Sequence, residues 1–64
     1  MKRFVVKAQR DELGGIYFEP LVVLATDQEE EARTYCAENG PYRHFILDTV
    51  DGSKWHYASG WIQA

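Results

Sequence analysis

The chain has 64 residues, of which 45% are hydrophobic and 27% charged, and its formal net charge is −3. This length accommodates one small domain, residues 1–64, and this composition argues against intrinsic disorder. The single cysteine, Cys36, excludes an internal disulfide and a cysteine-based zinc cage. The longest apolar run, residues 21–25, is far shorter than the roughly 20 residues that span a membrane, so we expect a cytoplasmic protein.

The N-terminal part predicts a β-hairpin. Residues 3–9, RFVVKAQ, alternate apolar and polar side chains with the period of a half-buried strand. Residues 11–15, DELGG, predict a five-residue turn, and residues 16–25 predict a second strand. Because Pro20 has no amide hydrogen, this second strand is expected at the edge of a sheet or with a bulge.

Pairing Ala8 with Phe18 across this turn assigns the side chains of the hairpin to two faces. The face expected to pack against the helix holds Phe4, Val6, Ala8, Phe18, Val22 and Leu24. The other face holds Arg3, Val5, Lys7, Tyr17, Leu21 and Val23.

Residues 25–41, ATDQEEEARTYCAENGP, predict the one helix. Thr26 or Asp27 is the expected N-cap, with Glu29 or Glu30 completing a capping box, and Gly40 is the expected C-terminal stop. A narrow apolar stripe for packing on a sheet consists of Ala32, Tyr35 and Cys36. The outward side includes an acidic surface formed by Glu30, Glu31 and Glu38.

The C-terminal stretch HFILDTVDGSKWHYASGW, residues 44–61, predicts a second hairpin with two possible registers. A two-residue turn at Asp51-Gly52 would pair Asp48 with Trp55. A three-residue loop with a left-handed Gly52 pairs Leu47 with Trp55 instead. We prefer the second register because it gathers the large side chains beneath the helix and turns the histidines outward. The side chains gathered in this way are Phe45, Leu47, Trp55 and Tyr57.

These elements predict an α+β fold with the order ββαββ. A right-handed crossover places the third strand beside the first, which gives one antiparallel four-stranded sheet of order 2-1-3-4 with the helix on one face. A single short helix covers one face of the sheet and leaves the other free. The alternative in which the helix covers the opposite face stays open.

The uncovered face is the candidate binding surface, because exposed apolar side chains on it would cost about 25 cal/mol per Å² unless a partner or a second copy covered them. The residues predicted to bind a partner are Arg3, Val5, Lys7, Tyr17, Leu21, Val23, His44, Ile46 and His56.

No motif in the chain specifies a reaction. A phosphate-binding glycine loop, a Ser/His/Asp set and an HExxH sequence are all absent from the sequence. His44, His56 and Asp48 would be close enough to share a divalent ion, but they lack a recognised spacing, so we expect ordinary surface histidines. Cys36 is expected to be a small buried hydrophobe. We therefore predict a protein that is not an enzyme and has no cofactor or metal.

A nucleic-acid interface is an alternative, since Arg3 and Lys7 flank Val5 near Tyr17 and single strands bind cations and stacking rings. The sequence pI of about 5.2 is unlike the basic footprint of phosphate binding. A self-associating structural protein is the second alternative.

The stretch FEPLVVLATDQEEEARTYCAE, residues 18–38, resembles in plan the small phage-encoded inhibitors of host enzymes, such as the inhibitor of bacterial RNA polymerase. Both have a strand that leads into a capped acidic helix, and this chain adds a fourth strand, WHYASGW. The resemblance implies an inhibitory protein that binds a host enzyme or defence complex stoichiometrically in the host cytoplasm. We expect a small protein-binding module of this type.

Overall fold

The alternating N-terminal segment forms a strand at the heart of an antiparallel sheet in the computed structural model, which describes residues 2–63. The elements are β1 (Phe4–Arg10), β2 (Ile16–Thr26), α1 (Glu29–Asn39), β3 (His44–Asp48), β4 (Lys54–His56) and β5 (Gly60–Ile62). The sheet order is β2-β1-β3-β4-β5, and α1 lies on one face. The predicted α+β class and the order 2-1-3-4 are confirmed, with β5 as an additional short strand.

The core lies between α1 and the face of the sheet that it covers. Val6 and Ile46 are 0% exposed at its centre, where they pair across β1 and β3. The remaining members of the core are Phe4, Ala32, Cys36 and Trp55, with Leu24, Tyr35 and Trp61 packed around them. The predicted stripe on the helix is therefore confirmed.

The start of α1 differs from the prediction. Gln28 is the N-cap and its side chain makes no capping hydrogen bond. The hydroxyl of Thr26 accepts a hydrogen bond from the amide of Gln28 at 3.0 Å, and the carboxylate of Asp27 accepts one from the amide of Arg3 at 3.0 Å. The expected capping box is wrong because Asp27 holds the start of the helix to the start of β1. Gly40 ends the helix as predicted, with a φ of 117°.

The β1–β2 hairpin contains the expected five-residue loop but not the expected register. Arg10 pairs with Ile16 across residues 11–15, whereas Ala8 pairs with Leu21 instead of Phe18. β1 has one residue between these pairs and β2 has four, so residues 17–20 must arch away from β1. Phe18, predicted to pack beneath the helix, is 100% exposed at this bulge.

The position of Pro20 follows the prediction, because β2 is an edge strand and Pro20 lies in its bulge. A second irregularity lies between Val6 and Lys7, and it places Val22 opposite Lys7. Val22 was also predicted beneath the helix, and this assignment is wrong because the extra residue shifts the side-chain alternation of β2.

The β3–β4 hairpin adopts neither of the two predicted registers. Ile46 pairs with Trp55, and the amide of Asp48 donates to the carbonyl of Ser53 at 2.8 Å, which encloses the four-residue loop 49–52. Gly52 has the predicted left-handed conformation, with a φ of 79°. The loop nevertheless has one residue more than expected, so β3 is inverted relative to the prediction.

This inversion exchanges the predicted faces of β3. Ile46 and His44, predicted outside, lie beneath α1, whereas Phe45 and Leu47 lie on the face without a helix. Trp55 does lie beneath the helix as predicted. Tyr57 does not, since it is half exposed and its ring packs edge-on against Tyr42 with centroids 5.5 Å apart.

Two polar side chains of β3 are buried, and each has a hydrogen-bond partner. His44 is 4% exposed, and its Nδ1 donates to the carbonyl of Gly40 at 2.8 Å. Asp48 accepts hydrogen bonds from Nε of Arg3 at 3.2 Å and from the amide of Val50 at 2.9 Å. The Arg3 guanidinium and the Val50 amide hold the pKa of the Asp48 carboxyl below its usual value.

Candidate functional site

The nine residues predicted to bind a partner do not share one surface. Ile46 is in the core and is unavailable to a partner. Arg3 lies at the end of the sheet, where its guanidinium is bound to Asp48. The residues on the sheet face that α1 does not cover, here called the open face, are Val5, Lys7 and His56. The residues that border a hollow on the helix side are Tyr17, Leu21, Val23 and His44.

On the open face, the central aromatic ring is covered by neighbouring side chains of the same face. The His56 ring stacks on the Phe45 ring with centroids 5.6 Å apart, and Nζ of Lys54 lies 5.7 Å from the Phe45 centroid. Phe45 is therefore buried although no helix covers it. The face presents cations, including Lys7, but its central aromatic ring is not free to stack on a base.

The outer edge of β2 is a row of unpaired backbone groups. In the pairing of β1 with β3, the amide of Gln9 donates to the carbonyl of Arg43 and the amide of Thr49 donates to the carbonyl of Arg3, both at 2.8 Å. Odd-numbered residues of β1 therefore bond to β3, and the even-numbered residues direct their backbone groups toward β2.

This alternation identifies the outward groups of β2. Val6 pairs with Leu24 and Phe4 pairs with Thr26, so these two residues of β2 bond to β1. Ala25, between them, directs its N–H and C=O away from β1, and among residues 2–63 no strand lies on that side of β2. We call residues 16–26 of this outer strand the free edge.

The free edge and the loop before it carry six of the ten large apolar side chains that are exposed among residues 2–63. The exposed group on the free edge and in the loop before it consists of Leu13, Ile16, Phe18, Leu21, Val22 and Val23. These side chains lie on both faces of β2, since Leu21 lines the hollow on the helix side and Val22 lies opposite Lys7. They therefore flank the outer edge of the strand from two sides.

A hollow of about 570 Å³ lies beside the free edge on the helix side. We call it the arginine hollow, since two arginines line it. The lining residues that matter for its chemistry are Arg10, Tyr17, Leu21, Tyr35, Arg43 and His44. Glu12 and Glu38 also border it. Among residues 2–63, neither arginine forms an ion pair with a carboxylate.

The opposite end of the free edge is acidic. A second hollow of about 530 Å³ lies beside Leu24 and is bordered by the three residues of the predicted acidic surface, Glu30, Glu31 and Glu38. Glu30, Glu31 and Glu38 are all exposed. The helix side of β2 thus changes from two arginines accompanied by two glutamates at the arginine hollow to carboxylates alone beside Leu24.

The groups considered for metal or thiol chemistry are arranged differently from the prediction. His44 and His56 lie on opposite faces of the sheet, so they do not form a set with Asp48, and residues 2–63 contain no cluster of three metal-ligating side chains. Cys36 is buried, as predicted, and burial raises the pKa of its thiol to about 11. In the described part of the chain, no helix has the length and apolar character needed to cross a membrane.

Comparisons with known proteins do not assign a class to the chain. No protein-family model matches it, and neither the curated proteins nor the solved structures contain a significant match. The site is therefore defined by its own geometry.

One signal in the sequence pointed to this site. Pro20 indicated an edge strand with a bulge, which is where the exposed apolar side chains lie. The predicted site residues did not include Phe18, Ile16, Arg10 and Arg43. Their exposure and position depend on the extra residues that β2 has relative to β1 and on the turn after α1.

Proposed function

We propose that this protein is a non-enzymatic binding module that adds an extended segment of a partner protein to the free edge of its sheet. The supporting observation is the coincidence of outward backbone groups at Ala25 with the exposed apolar side chains of the same strand. Strand addition uses main-chain hydrogen bonds for affinity and alternate side chains for specificity.

Charge along the edge specifies the segment. Arg10 and Arg43 favour an acidic residue at one end of it, and Glu30 and Glu31 favour a basic residue at the other. The preferred occupant is therefore an extended apolar segment with charges of opposite sign at its two ends, oriented by these groups.

A second copy of the chain also satisfies this charge pattern. In an antiparallel pair of β2 strands, the end of each strand near Arg10 and Arg43 lies beside the end of the other near Glu30 and Glu31. Its shape fits less well. If the pair is centred on Val23, the bulge at Phe18 meets residues 26–28 of the second copy, where the chain leaves the sheet for α1. A separate extended segment has no helix at that position.

More specifically, we propose that the protein inhibits a host enzyme or defence complex in the cytoplasm by binding it stoichiometrically. Its support is the resemblance in plan of residues 18–38 to small phage-encoded inhibitors. A single-stranded nucleic acid on the open face has less support, because Phe45 is covered by His56 and Lys54.

The test is a selection of nine-residue peptides from a displayed random library on the immobilised full chain. We expect selected peptides to be apolar, with an acidic residue toward one end. Each selected peptide is then remade with N-methyl groups on alternate backbone amides. Only one of the two sets should abolish binding, because only alternate amides of an added strand face β2. Binding should also slow the hydrogen exchange of the Ala25 amide at least tenfold.

Matched variants locate the site. Phe18→Ser should weaken binding of a selected peptide at least tenfold, whereas Val50→Ser, at an exposed apolar residue in the β3–β4 loop, should not. Equal sensitivity to both methylation sets would contradict strand addition. A free protein that is already dimeric by light scattering, with the Ala25 amide protected, would show that a second copy occupies the edge and would overturn the proposal. Binding of a single-stranded oligonucleotide that Lys54→Gln abolishes would favour the nucleic-acid alternative.

A further inference from the structure

The arginine hollow contains a buried donor without a partner. Nε of Arg43 is inaccessible to solvent, and within the described residues it donates to no acceptor. An unsatisfied buried polar group costs roughly 1–3 kcal/mol, and for a charged group the cost is higher. Nε itself is too enclosed for a ligand to reach, so an acceptor from outside the chain would bind the guanidinium through its terminal nitrogens, which are not among the buried atoms without a partner.

Gly40 is what brings the Arg43 side chain into this position. A Cβ at Gly40 would lie 3.1 Å from Cδ of Arg43, and Gly40 has a φ of 117°, which other residues rarely adopt. The carbonyl of Gly40 also accepts hydrogen bonds from the amide of Arg43 at 3.1 Å and from Nδ1 of His44 at 2.8 Å. The turn after α1 therefore holds Arg43 and His44 together beside the hollow.

The other walls supply a second cation and apolar surface. Arg10 reaches the carbonyl of Gly14 at 3.4 Å, a long contact that leaves most of its donors free. Tyr17 and Tyr35 contribute rings, and Leu21 contributes an aliphatic wall. The hollow has a volume of about 570 Å³ and is open to solvent, so it can hold a small acid against its walls without enclosing it.

We propose that the arginine hollow is a receptor for one carboxylate attached to a flat apolar body, with Arg43 and Arg10 binding the carboxylate and the two tyrosines contacting the body. Guanidinium groups bind carboxylates with paired, charge-assisted hydrogen bonds. Glu12 and Glu38 at the rim disfavour groups with more than one negative charge, so a monoanionic carboxylate fits better than a phosphate.

Such a carboxylate has two possible sources, a free aromatic acid or an acidic side chain of the segment that occupies the free edge. The second source rests on the proposed function, whereas the first does not. The probe for the first is benzoate, and the probe for the second is a peptide selected on the free edge, compared with the same peptide after Asp→Asn or Glu→Gln replacement.

The experiment is a titration of the full chain with benzoate, followed by backbone and arginine Nε–Hε signals in ¹H–¹⁵N NMR spectra. We expect saturable binding with a millimolar dissociation constant and the largest shift at the Nε–Hε signal of Arg43. Inorganic phosphate at the same ionic strength should bind more weakly. Raising the salt concentration should weaken benzoate binding.

Variants separate this inference from the fold and from strand addition. Arg43→Gln should abolish benzoate binding and Arg10→Gln should weaken it at least fivefold. Lys54→Gln removes the same charge on the opposite face of the sheet and should have no effect. The backbone spectrum of each variant shows whether the fold is intact, and Arg43→Lys, which keeps the charge but not the paired donors, should bind at least fivefold more weakly than the wild type.

Benzoate shifts that do not saturate, that map away from the hollow, or that persist in Arg43→Gln would overturn the receptor. If benzoate binds but the acidic side chain of the selected peptide proves dispensable, a free acid is the ligand and strand addition stands by itself. If Phe18→Ser leaves peptide binding unchanged while Arg43→Gln abolishes benzoate binding, the proposed function fails and the receptor stands.

Discussion

The two strands of the β1–β2 hairpin place their apolar side chains in opposite environments. Near the start of β1, Val6 lies at the centre of the core beneath α1, whereas Val22 on the neighbouring strand is 62% exposed. β1 therefore belongs to the core that stabilises the domain. β2 contributes little to that core beyond Leu24, because its extra residue turns Val22 to the face without a helix and its bulge at residues 17–20 arches away from β1.

Under the proposed function, a chain of 64 residues uses different side chains for stability and for binding. A small domain has few residues for a core, and exposed apolar side chains on the free edge cost free energy that burial against a partner would offset. Changes in the side chains that α1 covers should therefore alter the free energy of unfolding, and changes in the free edge should alter association alone.

The largest effect should come from a matched pair of isoleucines. Ile46→Ala removes a fully buried side chain and should lower the free energy of unfolding by about 2–5 kcal/mol. Ile16→Ala, at an exposed position on the free edge, should change it by less than about 0.5 kcal/mol. Urea denaturation followed by circular dichroism measures both. Equal losses would mean that Ile16 is also part of the core.

A matched pair of valines tests the same contrast with a smaller deletion. Val6→Ala should cost roughly 2 kcal/mol, since each buried methylene contributes about 0.8 kcal/mol and the cavity adds to this. Val22→Ala should cost less than about 0.5 kcal/mol. Thermal denaturation of the two variants decides the matter, and a larger loss in Val22→Ala would contradict the assignment of faces in β2.

The pH dependence of stability should show that Asp48 contributes to the folded state from the sheet face that α1 covers. Its pKa is lowered in the folded state, so its contribution is complete above the unfolded value of about 3.9 and is lost as pH falls through the folded value. Asp48→Asn should therefore reduce the melting temperature at pH 7, and the difference from the wild type should shrink below about pH 4.

A double-mutant cycle is the control for this effect. Arg3→Gln should reproduce part of the loss at pH 7, because Arg3 is the main cause of the low pKa of Asp48. The two substitutions together should cost less than the sum of the separate losses. Strict additivity would show that the observed ion pair does not contribute to stability.

The smallest effect on stability should come from Phe18→Cys, which places a thiol at a fully exposed position. In the native protein at pH 8, a disulfide reagent should modify this thiol within minutes and leave Cys36 unmodified. Cys36 is buried and its pKa is raised to about 11, so very little thiolate is present. Rapid modification of Cys36 in the native wild type would indicate frequent opening of the core.

The sequence was sufficient for the order of the elements because local signals mark their ends. Gly40 and Pro41 end the helix, residues 11–15 form the turn, and Pro20 can occupy only an edge or a bulge. The connection through α1 then allows few arrangements, so the sheet order could be predicted.

The faces of β3 could not be predicted in the same way, because both alternate sets in HFILD contain apolar side chains. The decision depends on polar partners elsewhere in the chain. Asp48 is acceptable in the covered layer since Arg3 reaches it from 45 residues away, and His44 is acceptable since Gly40 supplies a carbonyl. Periodicity contains no information on such partners.

The arginine hollow was beyond prediction for a related reason. It depends on the extra residues of β2, which bring Tyr17 and Leu21 to its wall, and on the turn that places Arg43. One more residue in either strand of a hairpin is enough to move such a set apart.

The two borders of the sheet have unequal lengths: β2 has 11 residues and β5 has three. Growth of a sheet into a fibril requires that each added molecule offer a new border as long as the one it covered. Here a molecule that docked through its long border would present only its short one, so we expect assembly between copies to stop after one step. The unequal borders would then limit how far an exposed edge strand can propagate a sheet.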